Sequence, residues 1–260
     1  MTTWPAGQGG QRGRTPVRAT AYASDDSARQ RPGTPVASSH PEPPTELDGP
    51  LELDPADWRA RDVYFLMTGL VIPRPIAWVS TRSADGVRNL APHSYFQAVS
   101  NDPPHVVFAS TGVKDTLRNV RETGEFVINL VSADLVEPMN FTATDFPPGE
   151  DEFTWAGLGE TAAHRVAAPR VAEAHAHLEC ELRQEVAVGN GNLVIAEVVH
   201  VHVAPALWRD GRIDPEAYDP VCRLAGTSYA TLGEVFKLPR PSWERDVRGT
   251  GPGEAIPRRD

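Results

Sequence analysis

Ser80, Thr81 and Asn89, set against Lys114, Asp115 and Thr116, are the residues of this chain best suited by type and spacing to hold a ligand. Hydroxyls and a carboxamide both donate and accept, so such a group can match a ring edge on which donors and acceptors alternate. A Lys ammonium, a Thr hydroxyl and the free N–H groups of a helix start suit a phosphate, each contributing about 0.3–1 kcal/mol or more when partly buried. Lys occurs only at Lys114 and Lys237, every other basic residue being Arg, so a Lys at this position departs from the habit of the chain. The plain alternative for Lys114 is an exposed solubilising charge. Asp115 reads as an N-cap or first-turn acid and stands behind the others as an outer candidate.

The elements that must position these residues are a hairpin and a helix. Residues 76–79 form a short β-branched and aromatic run that reads as a buried strand, which places Ser80 and Thr81 where the strand meets a loop. Ser83-Ala84-Asp85-Gly86 is a turn signal, with Asp-Gly supplying a positive-φ residue, so residues 87–91 return antiparallel and bring Asn89 close to Thr81. An amide beside hydroxyls at a strand edge suits the O2, N3 and O4 edge of an isoalloxazine ring; the alternative is a hairpin capped by small polar residues. Residues 114–123 read as a helix, with Leu117 and Val120 at i, i+3 and Gly124 as the stop.

Further strands are expected over residues 106–110, 125–131, 175–188 and 193–203, the last two joined at Gly189-Asn190-Gly191-Asn192. Helical patterns are confined to residues 58–70, 114–123 and 134–143. The chain is therefore expected to be mainly β, and a closed antiparallel barrel with short peripheral helices is more economical than a doubly wound sheet. No Rossmann fingerprint is present, so a nicotinamide would visit as a substrate and the resident cofactor would be another group.

A net charge of −10 and a pI near 5.3 argue against a nucleic-acid surface, which needs clustered Lys and Arg. An anionic ligand would then rely on local cations, for which Arg74, Arg82, Arg88, Arg118 and Arg121 are in or beside the site in sequence. Cys180 and Cys222 form neither a CxxC pair nor a disulfide framework; Cys180 falls in an apolar strand pattern and reads as a small hydrophobe. A cytoplasmic location with no membrane span is expected.

The first 45 or so residues are rich in Pro, Gly, Ser and Arg, with no Leu before Leu47, no Phe before Phe65 and no Ile before Ile72. Such a segment cannot bury enough apolar area to offset its ordering entropy, so residues 1–50 are expected to be disordered. One folded domain over residues 51–241 and a flexible tail over 242–260 complete the expected organisation.

Two further groups of residues could do chemistry. Asp145, Glu150, Asp151 and Glu152 come with Pro147, Pro148 and Gly149 and lack ligand spacing, so a loop or lid is the reading for them. His175 with His177, and His200 with His202, each share one face of a strand, a geometry open to zinc or copper. A polar sheet face is the preferred reading, and no metal is expected.

Arg74-Pro75-Ile76-Ala77-Trp78-Val79-Ser80-Thr81, then Asn89-Leu90-Ala91-Pro92-His93-Ser94-Tyr95-Phe96, then Lys114-Asp115-Thr116-Leu117-Arg118-Asn119-Val120 together resemble the flavin-binding face of the flavin reductase-like family, a branch of the FMN-binding split barrels. The resemblance extends from about Arg61 to Pro241 and includes Asn101-Asp102-Pro103-Pro104, Gly124-Glu125-Phe126-Val127-Ile128-Asn129, Glu152-Phe153, Leu178-Glu179-Cys180 and Arg223-Leu224-Ala225-Gly226 with Tyr229. It implies a six-stranded Greek-key split barrel that forms a homodimer, with FMN at or near the subunit interface and NAD(P)H as the electron donor. Carried over by residue, Ser80, Thr81, Asn89, Ser94, Tyr95 and Phe96 would line the ring and ribityl chain, and Lys114 with Thr116 the phosphate. Asp115 remains an outer candidate, and His93 reads as an exposed turn histidine.

The implied activity passes hydride from NAD(P)H to bound flavin, and electrons onward to free flavin, oxygen or a partner protein such as a monooxygenase. The alternative is a flavoredoxin-like FMN-binding electron carrier without efficient NAD(P)H turnover. No side chain is singled out as a catalytic acid or base, and FAD in place of FMN stays open.

Overall fold

β-branched and aromatic runs become strands wherever one face finds apolar partners. The computed structural model describes residues 49–251 and contains seven such strands in one antiparallel sheet: β1 (Ala77–Arg82), β2 (Arg88–His93), β3 (Phe96–Asn101), β4 (Pro104–Thr111), β5 (Glu125–Leu130), β6 (Ala176–Val188) and β7 (Gly191–Val203). Their spatial order is β2-β1-β5-β6-β7-β4-β3. The expected disordered segment, apart from residues 49 and 50, falls outside the described residues. The tail expected over 242–260 opens with a helical turn at Trp243–Val247, where the Ser242 N–H donates to the Asp246 carboxylate at 2.7 Å.

The expected strand count of six is corrected to seven. The added strand, β3, is an edge strand paired to β4 through Phe96↔Phe108, with an irregularity between Ala98 and Ser100. Beyond Phe96 its side chains are exposed. A solvated edge strand carries no apolar alternation, which is why the sequence did not signal it.

The sheet rolls up around a single interior. Ala77 and Val79 of β1 share a core with Val106 and Phe108 of β4, although β5, β6 and β7 lie between those strands in the sheet. The His93 ring at the end of β2 meets the Phe108 ring with centroids 4.8 Å apart. Helix α1 (Ala60–Leu70) precedes the sheet, and helix α2 (Asp115–Thr123) inserts Leu117 and Val120, both fully buried, into the interior. Gly124 ends α2 with φ 75°, a left-handed conformation that strains any residue with a Cβ.

A second apolar layer covers the outer face of β1 and β2. Trp78 and Leu90 pack there with Met139 of helix α3 (Val136–Phe141) and Phe153 of helix α4 (Glu152–Ala156). Strand β1 is therefore covered on both faces, and Ala77 through Thr81 are all buried. This is the architecture of a split barrel with short peripheral helices. Its consequence for the site is that β1 does not end at Val79 but continues through Ser80 and Thr81 to Arg82.

Candidate functional site

The hairpin turn brings Thr81 and Asn89 directly opposite each other, with Gly86 at φ 88° in the turn. Both residues face α2, which presents Thr116 and Asn119, three positions apart and so on one helix face. Asn89 Nδ2 donates to Thr116 Oγ1 at 3.0 Å, and Asn119 Nδ2 donates to Thr81 Oγ1 at 2.9 Å. Two strand residues in register are thus bonded to two helix residues in phase. The sidedness of the hairpin and the pitch of the helix together dock α2 onto the barrel.

A cavity of about 590 Å³ opens beside this junction, a size within the about 300–1,000 Å³ of small-molecule sites. Its walls come from the end of β2, the end of β4, the start of α2 and the segment after α3. Asn89, Ser94, Tyr95, Lys114, Asp115 and Thr116 all line it. Asn89 and Thr116 sit deep, at 5% and 2% exposure, while the Lys114 ammonium is at the surface.

Ser80, Thr81 and Phe96, expected along the ring, are not among the residues that line this cavity. Ser80 is on the outer face of β1, where its hydroxyl donates to the Pro169 carbonyl and accepts from Asn129 Nδ2 at 3.0 Å. Thr81 is consumed by Asn119, and Phe96 packs against the interior core. For Ser80 and Thr81 the physical reason is the length of β1: in a strand covered on both faces, side chains point into packed layers rather than a strand-end cleft.

The local cations are also fewer than the sequence suggested. Of the five arginines considered, Arg118 alone lines the cavity, and it is paired with Asp115. Arg74 is buried and donates to the carbonyls of Thr68, Val71 and Leu224 at 2.6–2.9 Å. Arg82 and Arg88 pair with Glu160, Arg88 also with Asp151, and Arg121 pairs with Glu185. Lys114 Nζ lies 2.7 Å from the Asp145 carboxylate, in a pair so exposed that it holds the side chain weakly and leaves it able to turn to another anion. Asp115 is the first-turn acid rather than the N-cap, a position taken by Lys114.

The sequence reading missed several cavity residues. Ser110 and Thr111 end β4, and Thr142, Thr144 and Asp145 follow α3. Thr142 also accepts the Trp78 indole N–H at 2.9 Å, which ties this wall to the buried layer. Glu152 is expected in a loop or lid, yet Asp151 caps α4 by accepting the Phe153 N–H, and Glu152 turns inward to accept the Leu90 N–H at 2.9 Å. Burial pushes the Glu152 carboxyl up to about 7, with Asp115 and Asp151 adding to the rise against the pull of the Leu90 N–H. An Asp preceding Glu-Phe at a helix start was the available signal.

His93 departs from its expected exposure. Burial lowers its imidazole to about 4, although a backbone hydrogen bond at Ala109 works the other way, and Lys114 lowers it further. It lines the cavity, and its buried Nε2 has no hydrogen-bond partner among the described residues. The cavity therefore offers a neutral imidazole, an apolar and aromatic lining at Tyr95 and Phe146, a polar wall, and a cation at a helix N-terminus. These residues fit a flat heteroaromatic ring carrying a phosphorylated chain.

Comparison with known proteins agrees with this chemistry. The flavin reductase like domain matches residues 68–216. A protein of Halalkalibacterium halodurans is 39% identical over 204 residues, covering 74% of this chain and 97% of its own. The crystal structure of nitrilotriacetate monooxygenase component B from Bacillus cereus superposes with a TM-score of 0.71 at 38% identity, covering 74% of this chain and all of that one. Pseudomonas fluorescens 2-nitrobenzoate 2-nitroreductase gives a TM-score of 0.70 at 29% identity over 74% of this chain and 98% of that one. The chain belongs to the flavin reductase-like family of split-barrel proteins.

Proposed function

We propose that this protein is an FMN-binding oxidoreductase that takes electrons from NAD(P)H and delivers them to a separate acceptor. The observation that carries the reading is the cavity in which Asn89 and Thr116, bonded to each other, meet the N-terminal turn of α2 beside Lys114. Asn89, Ser94 and Tyr95 would hold the ring and ribityl chain, and Lys114, Thr116 and the first N–H groups of α2 the phosphate. When bound, the flavin supplies the hydride-accepting chemistry. The protein's own part is to orient the ring, keep His93 neutral beside it, and retain the phosphate at the rim.

Two further parts of the proposal concern partners. Similarity to a component of a monooxygenase supports an oxygenase as the acceptor. A homodimer is supported by the apolar face left open on and after α1, where Tyr64, Phe65, Met67, Leu70, Val71 and Ile72 are 45–71% exposed. Tyr64 also lines the cavity, so a second copy seated on that face would border the site.

The test is the absorbance spectrum of freshly purified protein, followed by anaerobic addition of NADH or NADPH. Rapid bleaching of a flavin band supports the reductase. A band that persists moves the protein to an electron carrier, and failure to take up added FMN or FAD overturns the site.

A further inference from the structure

On the opposite side of the sheet wall from the barrel interior, β6 and β7 bring together a group of side chains that the flavin chemistry does not use. Along β7, Val194, Ala196 and Val198 face the interior, and simple alternation would send His200 and His202 the same way. A register shift between Val198 and His200 prevents this: Val198 lies opposite Cys180, and His200 lies opposite Glu179, so β7 carries one residue more than β6. The extra residue turns His200 and His202 onto the outer face beside Glu179. Re-aiming side chains in this way is a recurrent role of β-bulges at sites.

We infer that Glu179, His200 and His202 form a binding site for a divalent cation of the zinc class. One ligand atom from each lies within 4.8 Å of the others. Donors bound at about 2.0–2.2 Å in a tetrahedral shell stand roughly 3.3–3.6 Å apart, so small side-chain rotations close the set. Two imidazoles and one carboxylate suit zinc, with a fourth position left for water.

The surroundings are built to hold the carboxylate. Glu179 is fully buried, yet its oxygens accept the backbone N–H groups of His164 at 2.7 Å, Arg165 at 2.5 Å and Val166 at 3.3 Å. Among the described residues its one ion-pair partner is His202, whose Nε2 lies 2.5 Å from Glu179 Oε1. A buried anion held by oriented N–H groups, with no Lys or Arg against it among the described residues, is a place where a bound cation offsets the burial. The side chain of His202 is 23% exposed, which supplies the path of entry. The His164 ring covers His200 with centroids 4.7 Å apart and planes 27° apart.

Binding keeps Glu179 ionised and both imidazoles neutral. His202 carries its proton on Nδ1 so that Nε2 presents its lone pair to the metal in place of the hydrogen bond to Glu179. The ion would join β6 to β7 and lock the segment 164–166 over them. The four-histidine arrangement open to the sequence is not the one formed: His175 lies 3.6 Å from Asp134 instead, and the His177 Nε2 bonds the Val171 carbonyl at 2.9 Å.

The test uses full-length protein stripped with EDTA, dialysed and titrated with zinc chloride, reading bound zinc by mass spectrometry, melting temperature, and visible bands after loading with cobalt(II). The expected result is one zinc per chain, a raised melting temperature and tetrahedral cobalt bands. His200→Ala and His202→Gln should each weaken zinc by more than the about 10- to 100-fold typical of losing an outer partner. The Gln amide keeps a donor for Glu179, so His202→Gln should retain its circular dichroism and flavin uptake while losing zinc. Absence of saturable uptake, or uptake unchanged in both variants, overturns the site, and neither result touches the flavin assignment.

Discussion

Asn89 Nδ2 donates to Thr116 Oγ1 at 3.0 Å, joining strand β2 to the first turn of α2 at the floor of the cavity. Both residues are buried, so each supplies the other's partner. Asn89→Ala should cost about 1–3 kcal/mol by leaving the Thr116 hydroxyl without its donor, and should weaken flavin binding as well. In a double-mutant cycle with Thr116→Ala, denaturant unfolding should show a coupling of about 0.5–3 kcal/mol. Additive losses would mean that the two residues act separately.

Lys114→Ala should weaken FMN several-fold and leave riboflavin, which lacks the phosphate, unchanged. Because the Lys114 side chain is 69% exposed and its pairing with Asp145 is at the surface, the melting temperature should hold. Fluorescence titration with both flavins decides the matter, and equal weakening would remove Lys114 from the phosphate.

Glu152 should give the protein a pH-dependent stability. Its folded carboxyl titrates at about 7, above the ordinary carboxylate value, so the folded state holds the proton more tightly than the unfolded chain. That contribution is complete below about pH 4.5 and is lost as pH rises through about 7. Glu152→Gln keeps an acceptor for the Leu90 N–H and removes the titration. Relative to the parent, the variant should gain stability between pH 5 and pH 8, and parallel curves of melting temperature against pH would refute the assignment.

Ser80 and Ser94 should separate cleanly. Ser80 is enclosed between β1, Asn129 and Pro169, so Ser80→Ala should lower stability and leave flavin affinity alone. Ser94 lines the cavity, so Ser94→Ala should do the reverse. Flavin affinity and unfolding free energy measured on both variants check the pair.

Asn129 is expected to be among the least replaceable side chains. Its amide donates to the Trp78 carbonyl at 2.9 Å and to Ser80, and it accepts the Val171 N–H at 2.8 Å, all inside the protein. Asn129→Leu would strand at least two buried polar groups and should cost about 2–6 kcal/mol, read by chemical denaturation.

The sequence by itself determined the parts of this protein that depend on near neighbours. The Asp-Gly turn placed Asn89 opposite Thr81, the 189–190 turn joined β6 to β7, and Leu117 with Val120 marked the buried face of α2. Those features rest on turn chemistry and short periods, which a few consecutive residues carry in full. The motifs likewise sufficed for the family, and of their residues Asn89, Ser94 and Thr116 line the cavity. Tertiary structure decided which polar side chains reach that cavity. Ser80 and Thr81 were buried on opposite faces because layers distant in sequence, α2 on one side and α3, α4 and residues 166–169 on the other, cover both faces of β1. The edge strand β3 and the neutral His93 were invisible for the same reason, since exposure and burial are properties of the assembled fold. The turning of His200 and His202 toward Glu179 depended on one extra residue in β7, and a register shift exists only between two strands.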